Sequence, residues 1–244
     1  MTRPDLHIFS DHDALFDAAA DHVAAEAARC MASQGRFTVA LSGGTTPRPL
    51  FSRLGASPRS AQIDWSRVHV FWSDERCVPP HDAQSNFRVA WEALLSRVPV
   101  PPGHVHRMEG EVAPEVGAAR YELALRAVFG AEGPPRFDHL MLGMGADAHT
   151  ASLFPGSAAL SEGQRWVVAV SGGAPVPWRL TLTPPVIAAA SEVSFIITGA
   201  DKAAPLRQVL EGERAPQRWP AQVARQARGR QVFWLDAAAA AALA

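Results

Sequence analysis

Apolar residues recur along this chain at two spacings. Between Asp11 and Gln34, Leu15, Ala18, Ala19, His22, Val23, Ala27, Cys30 and Met31 fall three and four apart, which predicts a long amphipathic helix. Ser10 opens it as N-cap, with the acid Asp13 three residues on. Short continuous apolar runs predict buried strands at Phe37–Leu41, Val68–Trp72, Phe137–Leu142, Val167–Val170, Leu180–Thr183, Val193–Thr198 and Val232–Leu235. Helical spacing returns after Ser85, an N-cap, with Phe87, Trp91, Leu94 and Leu95 on one face. It returns again over Val116–Phe129 and Ala203–Leu210, and the alanine-rich tail Asp236–Ala244 reads as a last helix. Strand, turn and helix repeat in that order, which implies parallel strands joined by helical crossovers. The expectation is an α/β fold: one domain over residues 1–244, a Rossmann-like, mostly parallel sheet with helices on both faces. A small subregion around residues 100–135 is the only candidate subdivision. SGG occurs twice, at Ser42–Gly44 and Ser171–Gly173, but the flanks differ and no true repeat is present.

Composition narrows the function class. Across 244 residues, 48% are apolar and the net charge is −1, which permits a sizeable core and gives no basic surplus for nucleic acid. No apolar run approaches membrane-spanning length and the N-terminus has no signal-peptide core, so a cytoplasmic protein with no membrane contact is expected. Cys30 and Cys77 make neither a disulfide framework nor a metal set. Of 23 basic residues only Lys202 is a lysine, left against an arginine background either by chance or because a compact ammonium is needed there.

In open α/β sheets ligands bind beyond the carboxyl ends of the strands. Four polar stretches fall there. SGGTTPRP (Ser42–Pro49) offers glycines, Thr45 and Thr46, and a following helix start, a combination suited to a phosphate monoester. It lacks both the GK[ST] and GxGxxG patterns, which disfavours nucleotides. SDERCVP (Ser73–Pro79) places three charges directly after a buried strand, costly unless paired or used. They read either as a solvated loop with a local Asp74–Arg76 pair, or as a carboxylate for sugar hydroxyls with Arg76 reaching an anion. Cys77 has no histidine beside it in sequence and is a poor nucleophile candidate. GMGADAHTASLFPG (Gly143–Gly156) carries Asp147 and His149 two apart. They form either a carboxylate–imidazole couple for acid–base chemistry or a structural histidine capping the turn that follows. No other histidine pairs with His149 at metal-ligand spacing. Arg179 and Lys202 are cations near further strand ends.

These segments resemble the 6-phosphogluconolactonases. The likeness runs through LSGGTTP (Leu41–Pro47), FWSDERCVP (Phe71–Pro79), SNF (Ser85–Phe87), LGMGADAHTASLFPGS (Leu142–Ser157), RLTLT (Arg179–Thr183), ITGADKA (Ile197–Ala203) and Val232–Ala239, in the family's order over nearly the whole chain. The resemblance implies a fold shared with glucosamine-6-phosphate deaminase and ribose-5-phosphate isomerase. It implies hydrolysis of 6-phosphogluconolactone to 6-phosphogluconate in the pentose phosphate pathway, with no metal and no cofactor. It implies a small phosphorylated sugar lactone as partner and a monomer or weak homo-oligomer. The family's proposed base falls on His149 with Asp147 alongside. Its phosphate and sugar contacts fall on Gly43, Gly44, Thr45, Asp74, Arg76, Asn86, Arg179 and Lys202. One residue departs from the pattern: the family usually has glycine between the Asp and the His, where this chain has Ala148. If that position needs positive φ, alanine is strained by roughly 1–2 kcal/mol. Two rivals remain at this point. One is a sugar-phosphate isomerase or deaminase on the same scaffold, although a deaminase tends towards IAFNEP where this chain has TASLFP. The other is a non-catalytic sugar-phosphate-binding protein whose base Ala148 has spoiled.

Overall fold

Alternation with period two sorts the strand residues onto two faces. The computed structural model describes residues 3–172 and 175–244. Strands β1 (Asp5–Phe9), β2 (Phe37–Leu41), β3 (Val68–Trp72), β5 (His139–Leu142), β8 (Glu192–Ile197) and β9 (Arg230–Asp236) form one sheet in the order β1-β9-β8-β5-β2-β3, every neighbouring pair parallel. On one face Val39, Leu41, Val70, Trp72, Met141, Ile196, Val232 and Trp234 pack beneath α1 (His12–Gln34), α2 (Arg48–Leu54) and α4 (Asn86–Ala93), with the one-turn α3 (Arg59–Gln62) following α2. On the other, Ala40, Phe71, Leu140, Leu142, Phe195, Ile197, Phe233 and Leu235 meet α5 (Pro114–Phe129), α6 (Pro184–Ala189) and α7 (Ala203–Leu210). Each large apolar side chain buried in this way contributes about 1.5–3 kcal/mol. The central strands are buried on both faces, which is why they read as unbroken apolar runs.

Several expectations need correction. Asp11, not Ser10, caps α1, accepting from the Ala14 N–H. Helix α4 buries Asn86, Ala90 and Ala93; Trp91 is 49% exposed, and Leu94 and Leu95 are buried only after the helix has ended. The tail forms a single turn, α8 (Ala237–Ala240), capped by Asp236. A second sheet, not foreseen, joins β4 (Asp74–Arg76), β7 (Trp178–Leu182) and β6 (Val167–Ser171) in antiparallel order. Among the described residues no helix lies between β6 and β7, and the two pair antiparallel rather than through a crossover. Gly173, the last residue of the second SGG, lies outside the described residues. The α5 segment, the core of the 100–135 region, packs on this sheet: a β-carbon on Gly117 would press on Leu180. Strand β1 was missed because it is an edge strand with Leu6 and Ile8 exposed. No helix among the described residues is long and apolar enough to cross a membrane.

Candidate active site

The segment after β5 folds back as a tight turn. Ala148 N–H donates to the Gly145 carbonyl at 3.0 Å, and Gly145 N–H donates to the His149 carbonyl at 2.9 Å. Ala148 closes the turn at φ 62, the left-handed region that such hairpin loops usually fill with glycine. The position therefore does require positive φ, and alanine occupies it. Three contacts hold the strained residue. Its methyl is fully buried in the core, its carbonyl accepts from the Ala221 N–H at 2.9 Å, and Thr150 Oγ1 ties the turn to the Gly143 carbonyl at 2.8 Å.

This turn brings Asp147 and His149 together. His149 Nδ1 lies 2.6 Å from Asp147 Oδ1, which also accepts the His149 backbone N–H at 3.1 Å. Burial opposes ionisation of Asp147, but the backbone N–H, the facing imidazole and its ring N–H outweigh it and hold the carboxyl below its usual range. An ionised carboxylate only accepts, so Nδ1 carries a proton, and it is Nε2 that presents a lone pair in the neutral ring. Gly145 makes the approach possible, because a β-carbon there would collide with the His149 ring. Sequence reasoning passed over Gly145, although the GxG spacing just before the Asp was visible.

His149 stands where two hollows meet. One, of 260 Å³, is lined by Ser42–Pro47, Ser73, Asp74 and Gly143–Gly145. The other is a wide cleft bordered by Phe154, Ser157, Arg165 and Trp178. His149, Arg76 and Arg179 line both. Arg76 and Arg179 are register partners on β4 and β7. Like charges placed opposite each other on paired strands are destabilising. Neither has a carboxylate within ion-pair distance among the described residues, and the Nε of each is buried without a partner. Burial first, and then the facing Arg76 charge, pull Arg179 below its usual value. An anion between the two would relieve both costs.

A profile of the family described as "Glucosamine-6-phosphate isomerases/6-phosphogluconolactonase" matches residues 10–234. The chain belongs to that family. It is 39% identical over 242 residues to a 6-phosphogluconolactonase of Nostoc sp., covering 98% of each chain. It superimposes on the 6-phosphogluconolactonase of Trypanosoma cruzi with a TM-score of 0.89 at 29% identity, covering 99% of this chain and 97% of that one. A monomeric glucosamine-6-phosphate deaminase shares the fold, with a TM-score of 0.83 at 18% identity over 98% and 99% of the two chains.

Of the residues this family likeness singles out, Gly43, Gly44, Thr45, Asp74, Arg76, Asp147, His149 and Arg179 gather at one end of the sheet. Asn86 does not face the hollow. It is buried, donates to the Asp74 carbonyl at 2.9 Å and to Asp74 Oδ1 at 3.3 Å, and accepts from the Gly44 N–H at 3.2 Å. It is a brace between two loops, and Gly43 is a glycine because a β-carbon would overlap its amide. Asp74 is likewise committed, with Oδ2 accepting from Ser152 Oγ at 2.7 Å. Lys202 lies past the end of β8, lines neither hollow, and pairs with Asp201 at 2.7 Å. Cys77 is no nucleophile: burial, then the Glu75 charge, push its thiol up to about 11.

Glu75 was also missed. It is buried and accepts the backbone N–H groups of Arg76, Asn86 and Phe87 at 2.7–2.8 Å and the Ser85 hydroxyl at 3.1 Å. A carboxylate at the start of α4 complements the helix dipole and fastens β4 to that helix. Burial nevertheless pushes its carboxyl up to about 7, against the opposing backbone donors. The signal was a third charge in SDER, masked by neighbours that had obvious uses.

Proposed function

We propose that this protein hydrolyses 6-phosphogluconolactone to 6-phosphogluconate, the lactone-opening step of the oxidative pentose phosphate pathway. The observation that carries the reading is the unpaired Arg76–Arg179 couple beside an imidazole braced by Asp147. Two facing guanidiniums without carboxylate partners suit a phosphate dianion, which both can grip with several N–H donors. That remote grip supplies binding energy for positioning the ring at His149.

In the proposed reaction His149 Nε2 takes a proton from water as its oxygen attacks the lactone carbonyl carbon. Asp147 stabilises the imidazolium that forms. The tetrahedral intermediate collapses by breaking the bond to the ring oxygen, which leaves with the proton returned from Nε2. The new carboxylic acid then ionises. Water is thus split between the acyl carbon and the ring oxygen, with no covalent enzyme intermediate.

The binding-protein reading loses its motive, because alanine at φ 62 coexists with the 2.6 Å Asp147–His149 contact. The experiment is a rate comparison on lactone generated in situ, with and without protein, because the substrate also hydrolyses unaided. Acceleration is expected. No acceleration, together with ammonia release from glucosamine 6-phosphate, would transfer the site to the deaminase chemistry of the same family.

A further inference from the structure

At the far end of the sheet, away from His149, three ligand-type side chains converge. His139 opens β5 and Glu192 opens β8, whose next residues, Leu140 and Val193, are register partners. His22 reaches them from α1. His22 Nε2 lies 2.7 Å and His139 Nδ1 2.8 Å from the same atom, Glu192 Oε1, and the three donor atoms lie within 4.8 Å of one another. The residues are scattered through the sequence, so no local motif announces them.

A self-contained hydrogen-bond network is the plainer reading, and it leaves too much unmet. Only His22 makes a hydrogen bond to Glu192. The His139 side chain is 1% exposed: Nδ1 has only the 2.8 Å approach to Oε1, an oxygen it shares with His22, and Nε2 has no partner. Glu192 Oε2 is buried and makes no hydrogen bond; its one ion pair, 3.4 Å to Arg230, is with a guanidinium shared with Asp5 and Glu26. A buried imidazole nitrogen with no partner, beside a carboxylate oxygen that makes no hydrogen bond, is costly in the interior.

Two imidazole nitrogens and one carboxylate oxygen match the donor set of zinc-class ions, with water completing a tetrahedron. A pocket of 480 Å³ lined by Glu26, Cys30, Glu192 and Arg230 opens beside the cluster and gives an entry path and room for that water. Bonds of about 2.0–2.1 Å place tetrahedral ligand atoms roughly 3.3 Å apart, so each imidazole nitrogen, now 2.7–2.8 Å from Oε1, would stand about half an ångström further from that oxygen around a bound ion.

We propose that His22, His139 and Glu192 form a binding site for a divalent transition-metal ion of the zinc class, which ties α1 to the starts of β5 and β8. The site stands apart from the lactone chemistry and does not depend on it.

The test uses the full chain after treatment with a chelator. Zinc is titrated by calorimetry, and cobalt(II) by visible absorption, which reports tetrahedral coordination. The expected result is one equivalent per chain, tetrahedral cobalt bands, and a rise in the thermal midpoint with zinc. Affinity should fall at least about tenfold in His22→Asn, a change at a partly exposed position, and in Glu192→Gln. It should be unchanged in His149→Gln, which reports binding at the lactone site instead. The proposal is overturned by the absence of saturable binding at micromolar zinc, by binding that survives His22→Asn, or by binding lost in His149→Gln.

Discussion

Replacing Gly145 by alanine should remove activity while leaving the fold intact. The backbone permits it, since Gly145 is not among the positive-φ residues. What the new methyl meets is side chain: the His149 ring, and Asp147 Oδ1 at 2.6 Å. The ring therefore swings aside and the main chain need not move. Losing one half-exposed hydrogen bond costs about 1 kcal/mol. Restricting the unfolded chain returns about 0.4–1 kcal/mol. The two nearly cancel, and a chain of this size should show a thermal midpoint shift below about 4 °C. Catalysis has no such compensation. A misplacement of about 1 Å costs about 100-fold, and a general base contributes about 100- to 10,000-fold. kcat should fall at least about 100-fold, with KM little changed because Arg76 and Arg179 are untouched. The assay is initial rates on freshly generated lactone, corrected for spontaneous opening, beside calorimetric melting. A kcat within about twofold of wild type would refute the placement of the ring or its role as base.

Ala148→Gly relieves about 1–2 kcal/mol of strain, loses about 0.8 kcal/mol of methyl burial and frees the unfolded chain by about 0.4–1 kcal/mol. Melting should barely move and kcat should stay within about threefold; a tenfold rise would mean that alanine displaces the imidazole. Arg179→Met removes charge-assisted bonds of about 1.5–3 kcal/mol, so KM for the lactone should rise about ten- to 100-fold with a smaller effect on kcat, and an unchanged KM would contradict the phosphate assignment. His69 stacks on His104 at 3.9 Å and meets His106 at 3.1 Å; burial, then His104, His106 and Arg36, lower its pKa to about 4. Its neutral form is favoured in the fold, so its contribution is complete above about pH 6.5 and is lost as pH falls towards 4. Glu75 titrates with the opposite sign between its ordinary value and about 7, so the comparison must be differential. Chemical denaturation from pH 7 to pH 4 should show His69→Gln losing less stability than wild type, by on the order of 1 kcal/mol after allowing for partial exposure, and parallel losses would refute the assignment.

Apart from its exposed edge strand β1, the parallel sheet was legible because its strands are buried and so stand out as apolar runs. The antiparallel sheet was not. Strand β4 is made of Asp74, Glu75 and Arg76, whose polarity reads as loop; only its pairing with Arg179–Thr181 makes it a strand. The same pairing sets two arginines face to face, which no local pattern could show. The Asp147–His149 couple was visible at a separation of two residues, as was the issue at Ala148, but the sign of φ belonged to the folded turn. Asn86 and Lys202 show the limit of transfer by motif. Both fall in matching segments, yet one is spent bracing two loops and the other pairs with its neighbour Asp201.

The role of His149 as base is tested by kcat for 6-phosphogluconolactone hydrolysis by the wild type and by His149→Ala, each above the uncatalysed rate. His149 is about one-third exposed, so truncation should leave the fold standing. A loss of about 100- to 10,000-fold is expected, with binding of 6-phosphogluconate retained. A variant that opens the lactone as fast as the wild type would contradict that role.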